Sequence, residues 1–291
     1  SNYKYKFFFI NKYFIQRCIL HLNNKGFFSF IKNSLNHILY ISNPAKVGEF
    51  PFSHLFKKKR ILNKKFIKKN LSNFNKSSIE RYFNYYLDTS RIINNPIVYA
   101  FGIGGQIKFE EAIAKKFVNS EIYCYDPTSK NFINNYSGPK NIKLFPLGIW
   151  TEDKKINFFH PNDQFTTASI TDQFNSNGEH VIKYQCHKLK TLMSMNNHNR
   201  IDILKMDIDG GVESVIEDML NDQIFPTQIV IEFEFSEVDN LSKEQEEEYT
   251  LFQIKLTKLL DKMKLYNYKC YNMDRVTMPY SSIEVLFIKN S

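Results

Sequence analysis

From Pro96 to its end the chain alternates short apolar runs with amphipathic stretches, and no other feature of the sequence constrains the fold as tightly. The apolar runs at 97 to 102, 121 to 126, 142 to 148, 202 to 208, 228 to 235, 267 to 273 and 284 to 289 read as seven strands. Between them, near 107 to 118, 128 to 135, 188 to 195, 211 to 221 and 242 to 265, apolar residues recur at three- and four-residue spacing, which predicts helices. Apolar strands alternating with amphipathic helices call for a mostly parallel sheet covered on both faces, a doubly wound α/β domain that binds ligands at the carboxyl ends of its strands. An insertion at 154 to 184 interrupts the pattern and carries its own candidate strands at 155 to 159 and 181 to 185.

The N-terminal third is a different object. Residues 1 to 91 hold 18 Lys/Arg against only Glu49, Glu80 and Asp88, a net +15, which leaves residues 92 to 291 at −6. The expected division is therefore a basic, aromatic-rich helical extension over 1–92 and a catalytic domain over 93–291. Within the extension, 11 to 22 and 27 to 41 carry apolar stripes (Ile31, Leu35, Ile38, Leu39) and Asn43-Pro44 ends the second. Residues 57 to 76, rich in Lys and Asn, read as a solvated helix or a linker. The longest early apolar run, Phe7 to Ile10, is far short of the ~20 residues of a membrane span, and no cleavable leader pattern is visible. Cys18, Cys124, Cys186 and Cys270 are widely spaced, without a CxxC pair, as in a reduced, cytoplasmic protein.

The first strand of the α/β part runs into Phe101-Gly102-Ile103-Gly104-Gly105-Gln106-Ile107, and the next helix opens with Phe109, Glu110 and Glu111. Glycines let the backbone turn sharply and approach a ligand, and the free N–H groups of a helix start can hold an anionic group. The second strand ends in Asp126-Pro127, where a carboxylate can accept both hydroxyls of a ribose. A dinucleotide fold places a third glycine where this chain has Ile107, which disfavours NAD. The bland reading is a plain strand-to-helix turn.

Five segments in order resemble one family: Val98-Tyr99-Ala100-Phe101-Gly102-Ile103-Gly104-Gly105, Tyr125-Asp126-Pro127-Thr128, Pro146-Leu147-Gly148-Ile149-Trp150, Leu204-Lys205-Met206-Asp207-Ile208-Asp209-Gly210 and Ile283-Glu284-Val285-Leu286-Phe287-Ile288. They are similar to the FkbM-type, class I S-adenosylmethionine-dependent methyltransferases, over roughly residues 95 to 291. The resemblance implies a Rossmann-like sheet of seven mostly parallel strands with the last antiparallel, and a cofactor held by Phe101, Gly102, Gly104, Gly105, Asp126, Pro127, Gly148, Ile149 and Trp150. It further implies an O-methyltransferase acting in glycan or secondary-product biosynthesis. The chain departs from the pattern where an acid is usual two residues before the first glycine. Ala100 stands there, which leaves Glu110 to face the cofactor's ammonium. After the fifth strand it reads Glu232-Phe233-Glu234 where many relatives carry a His.

Alternation along a strand puts Asp207 and Asp209 on one face, and likewise Glu232 and Glu234. Crowded carboxylates call for a proton or a cation between them. Three readings follow. Asp207 or Glu232 acts as the general base of an in-line methyl transfer, with Glu234 beside them in the catalytic cluster; Asp207, Glu232 and Glu234 hold a divalent metal; or the acids cap the Gly210 turn and helix starts. Lys205 neutralises Asp207, contacts an acceptor phosphate or solvates the rim. His160, His180 and His187, in or beside the insertion, and Thr166, Thr167 and Ser169 are expected to shape the acceptor site, with Asp209. The acceptor expected is a sugar hydroxyl on a nucleotide-activated sugar or a capsular or surface polysaccharide unit. The basic arm is expected to help bind that acceptor or a second copy in a homodimer, with no nucleic-acid partner. The alternative class is an RNA-binding or RNA-modifying protein recruited by the arm, since aromatics interleaved with lysine suit single-stranded RNA.

Overall fold

The computed structural model describes residues 78–160, 168–170, 180–235, 243–276 and 281–290. The stripes at 11 to 22 and 27 to 41, the segment 57 to 76, Cys18, Thr166 and Thr167 lie outside the described residues. In chain order the elements are β1 (Ile79–Tyr82), β2 (Tyr85–Asp88), β3 (Ile97–Phe101), α1 (Lys108–Lys116), β4 (Glu121–Tyr125), α2 (Lys130–Asn135), β5 (Ile142–Phe145), β6 (Gly148–Ile149), β7 (Lys154–Phe159) and β8 (Val181–His187). They continue with α3 (Leu189–Met195), β9 (Ile203–Met206), α4 (Val212–Asn221), β10 (Gln228–Phe235), α5 (Lys243–Leu265), β11 (Tyr268–Val276) and β12 (Ser281–Lys289).

Seven strands form one sheet in the order β5-β4-β3-β9-β10-β12-β11. The pairs among β5, β4, β3, β9 and β10 are parallel, while β12 runs antiparallel to both β10 and β11. The fold is thus the Rossmann-like α/β class, with the last strand antiparallel as expected. The strand expected at 142 to 148 is broken in two, because Pro146 has no N–H to continue a ladder. Its second half, β6, joins a separate three-stranded sheet, β6-β8-β7, built from the insertion.

Each face of the main sheet buries its own core. On one, Tyr99, Phe101, Tyr123 and Tyr125 meet Leu192 of α3, Ile216 of α4 and Leu260 of α5. The rings stack, Tyr99 on Tyr123 at 5.4 Å and Phe101 on Tyr125 at 5.2 Å between centroids. Asn196 donates to the Tyr99 and Tyr125 hydroxyls at 3.2 and 2.7 Å, so these buried polar tips are satisfied. On the other face, Val98, Ala100, Ile203, Val230 and Leu286 meet Phe109 and Ile113 of α1 and Tyr82, Tyr85 and Leu87 of the first two strands. Burying each large apolar side chain contributes roughly 1.5–3 kcal/mol, so both faces are needed to hold the sheet.

Those first two strands correct the sequence reading, which places them at the end of a helical extension. β1 and β2 form an antiparallel hairpin, with Ile79 opposite Asp88 and Tyr82 opposite Tyr85. Its turn puts Phe83 at φ 53, so neither the Asn-Gly nor the Asp-Gly signal of a tight hairpin is present. The hairpin is bound to the sheet through Gln228, whose Oε1 accepts from the Asp88 N–H at 2.7 Å and whose Nε2 donates to the Asp88 carbonyl at 3.0 Å. Arg91 also donates to the Lys289 carbonyl at 2.8 Å.

Candidate functional site

The glycine loop follows β3 with Gly102, Gly104 and Gly105 all at positive φ (75, 53 and 75°), which L side chains rarely adopt. A Cβ on Gly102 would lie 1.7 Å from the Asp207 carbonyl oxygen, so the loop and the end of β9 are in backbone contact. Around Gly104 the space is open, with no atom within 4 Å of an added Cβ. Asp126, just past β4, faces this loop: its Oδ2 accepts from the Gly104 N–H at 2.8 Å, and its Oδ1 accepts from the Thr128 N–H and hydroxyl at 2.8 and 2.7 Å. Three donors leave about one of a carboxylate's four acceptor positions for a further hydroxyl.

The acids line up beside the loop. In the ladders, Phe101 pairs with Met206 and Met206 with Ile231. One residue further on, Gly102, Asp207 and Glu232 are therefore level, and Glu232 pairs across β12 with Glu284. Asp207, Glu232 and Glu284 thus form a row on three neighbouring strands, spaced about 4.8 Å apart across the sheet. Tyr85 lies against this row and donates to Asp207 Oδ2 at 3.0 Å. Burial, then Asp207, Glu232 and Glu284 in turn, push the Tyr85 hydroxyl well above its ordinary value, so it stays protonated and a donor.

Lys205 sits below the row, only 4% exposed. Its ammonium donates to the Gly102 carbonyl at 2.8 Å and lies 3.5 Å from Asp207 Oδ2 and 3.9 Å from Glu110 Oε1. Burial alone would pull the Lys205 ammonium down, but Asp207 and Glu110 outweigh it and hold it charged. Glu110 is 1% exposed, and burial raises its carboxyl against the pull of Lys205. It is therefore sealed from solvent, facing Lys205, which corrects the expectation that it meets a cofactor ammonium.

The insertion packs over the turn after β9. Ser169 donates to the Asp209 carbonyl at 3.3 Å, and a Cβ on Gly211 would come within 2.9 Å of Ile170 and 3.1 Å of the Trp150 ring. On its other side the Tyr184 hydroxyl and His160 Nε2 are 3.2 Å apart. Burial and then the charge of Asp126 raise the Tyr184 hydroxyl. His180 stands at the entry to β8, its carbonyl accepting from the His160 N–H at 2.9 Å.

The sequence matches the model of the FkbM methyltransferase domain over residues 87–270, more than half of the chain. This chain belongs to the FkbM methyltransferase family. It is an S-adenosylmethionine-dependent methyltransferase. No curated protein matches the sequence. Among solved structures it is similar to a fibrillarin/Nop5p complex (12% identity, 68% of this chain and 75% of that one, TM-score 0.36) and to precorrin-6y C5,15-methyltransferase from Geobacter metallireducens GS-15 (12%, 67% and 81%, 0.31). It is also similar to human N-acetylserotonin methyltransferase in complex with SAM (12%, 68% and 48%, 0.34). At such scores the fold rests on the strand order and the family match.

In this FkbM methyltransferase the space at Gly104 is open and Asp126 borders it, so these are the residues that would hold the nucleoside of S-adenosylmethionine. Gly148 and Pro127 meet beside it, since a Cβ on Gly148 would lie 3.5 Å from Pro127 Cγ. Other expected contacts are not available to a ligand. Phe101 and Ile149 are 1% and 5% exposed, with side chains inside the aromatic core, and Ser169 is fully buried. β9 ends at Met206, so Asp209 belongs to the following turn and does not share a strand face with Asp207. Lys205 is pinned under the loop and does not stand at an acceptor rim. Glu234 is on β10, level with Ser282, and its side chain lies outside the described ones. Among the described residues no group of three His, Cys, Asp or Glu side chains is arranged to hold a metal ion. The sequence reading does not single out Tyr85 or Glu284 as site residues, and the signal for Glu284 is its place between Ile283 and the apolar run Val285–Ile288 of the last strand.

Proposed function

We propose that the FkbM methyltransferase transfers a methyl group to a sugar hydroxyl, on a nucleotide-activated sugar or a surface-polysaccharide unit, in the cytoplasm. The observation that carries this reading is the row Asp207, Glu232, Glu284 level with Gly102, which sets carboxylates beside the place the glycine loop leaves for the methyl donor. S-adenosylmethionine, when bound, supplies an electrophilic methyl on its sulfonium. Asp126 accepts a ribose hydroxyl, and Asp207, held by Tyr85 and Lys205, orients the acceptor hydroxyl toward the methyl. Glu232, with the like charge of Glu284 opposite, would take the hydroxyl's proton as the new O–C bond forms and the methyl–sulfur bond breaks, its electron pair staying on sulfur so that S-adenosylhomocysteine leaves; a positioned base of this kind contributes typically ~10²- to 10⁴-fold. Lys205 supplies positive charge to Asp207. The three buried free thiols, Cys124, Cys186 and Cys270, suit a reducing compartment. The division into an extension and a catalytic domain is kept with one amendment: the hairpin belongs with the catalytic domain, and the +15 of the preceding segment complements acceptor phosphates or a second copy.

Calorimetry with S-adenosylhomocysteine tests the reading. Binding in the micromolar range supports it, and no heat at high protein concentration removes it.

A further inference from the structure

The family match begins at residue 87, so Tyr85 falls just before the matched segment, on β2 of the hairpin. Yet its hydroxyl reaches across 122 residues of sequence to the carboxylate beside the glycine loop. We propose that Tyr85 is a positioning residue that fixes the Asp207 carboxylate at the end of β9, making the N-terminal hairpin part of the catalytic unit. As a statement about catalysis it rests on the proposed function; as a statement about the carboxylate it does not.

Four observations carry it. Tyr85 is 4% exposed and held edge-on against Phe109 of α1 at 5.2 Å, so its hydroxyl has one direction to point. The Lys205 ammonium lies 5.5 Å from the Tyr85 ring centroid, over its face, and 3.5 Å from Asp207 Oδ2, so ring, cation and carboxylate hold one another. Among the described residues the Tyr85 hydroxyl and the Lys205 ammonium both meet the same Asp207 oxygen, Oδ2, and Oδ1 is the oxygen we assign to the acceptor. The backbone beneath is fixed as well: Gln228 bonds both polar groups of Asp88, three residues along the hairpin strand. A carboxylate with one oxygen tied and one open presents a single orientation to an acceptor, and such pre-orientation is what loosely held groups lack.

The test compares Tyr85→Phe with Tyr82→Phe, which removes a hydroxyl of the same hairpin that donates to Glu80. Protein labelled with ¹³C-carboxyl aspartate is examined at fixed pH, with the Asp207 signal assigned through Asp207→Asn. In Tyr85→Phe the Asp207 signal is expected to shift and broaden while the other aspartates and the melting curve hold. In Tyr82→Phe it is expected to stay. An unmoved Asp207 signal in Tyr85→Phe overturns the proposal, whether or not the protein binds S-adenosylhomocysteine, which calorimetry on the wild type reports separately. With an acceptor from a nucleotide-sugar panel, Tyr85→Phe is expected to lower kcat about tenfold with KM and S-adenosylhomocysteine affinity within twofold, as for a lost hydrogen bond to a charged group. Equal losses in kcat and in cofactor affinity would mark Tyr85 as merely structural and overturn it.

Discussion

The Gly104 N–H donates to Asp126 Oδ2 at 2.8 Å, so the loop that borders the cofactor space is already fastened to the carboxylate at the end of β4. That bond makes Asp126 the loop's anchor, besides the ribose-binding role proposed for it. Asp126→Ala is therefore expected to weaken S-adenosylhomocysteine binding by at least tenfold in calorimetry, and Asp126→Asn to lose less, because the amide oxygen can still accept from Gly104. Equal losses in the two variants would separate the carboxylate from the loop.

Lys205, Glu110 and Asp207 form a charge group whose balance depends on the lysine. Lys205→Met leaves the buried Glu110 carboxylate without its cation and is expected to cost about 3–5 kcal/mol. At 2–4 °C per kcal/mol for a domain of this size, the melting temperature falls by roughly 6–20 °C. Adding Glu110→Gln should recover part of that loss in the same melting experiment.

The site was legible in the sequence where it is local. The turn at Gly102 and Gly104 and the place of Asp126 just past β4 are legible because a tight turn and a strand end advertise themselves within a few residues. The strands and helices after Pro96 follow from the same local alternation, but their order in the sheet does not. Tyr85 was invisible for a different reason: its partner is 122 residues away, and Phe83 at φ 53 turns the hairpin without a glycine. Lys205 shows the same limit, since the pattern of β9 gives its face but not whether that face is sealed by α1 and the hairpin. Asp209 was misplaced because the strand stops at Met206, two residues before the apolar run ends.

Gln228 is a buried clamp, so its loss strands two backbone groups of Asp88. Gln228→Ala is expected to destabilise the protein by about 2–4 kcal/mol, read by denaturant or thermal unfolding. Cleavage near residues 78–90 by a protease at low dose should rise in parallel. A stable variant with a protected hairpin would mean that apolar packing alone docks it.

Stability should fall at alkaline pH. Burial raises Cys186 and Cys270 from 9.0 to about 12, and burial, with smaller contributions of both signs from neighbouring groups, raises Tyr99 from 10.0 to about 12. These groups hold their protons longer folded than unfolded, so the stability they favour is complete below pH 9 and is lost as pH rises from 9 to 12. Melting temperatures across that window are expected to decline steadily, with tyrosinate absorbance appearing only as the protein unfolds.

Because Lys205 already places positive charge at Asp207 Oδ2, methyl transfer is expected to keep its rate after exhaustive treatment with EDTA. Loss of activity restored by a divalent ion would instead assign Asp207 and Glu232 to a metal.

The most direct measurement is transfer of labelled methyl from S-adenosylmethionine to a panel of nucleotide sugars and cellular RNA, with the product identified by NMR. The account predicts label on a sugar hydroxyl as an O-methyl group, abolished or reduced at least a hundredfold by Glu232→Gln. Label in RNA, or on a sugar with Glu232→Gln fully active, would contradict it.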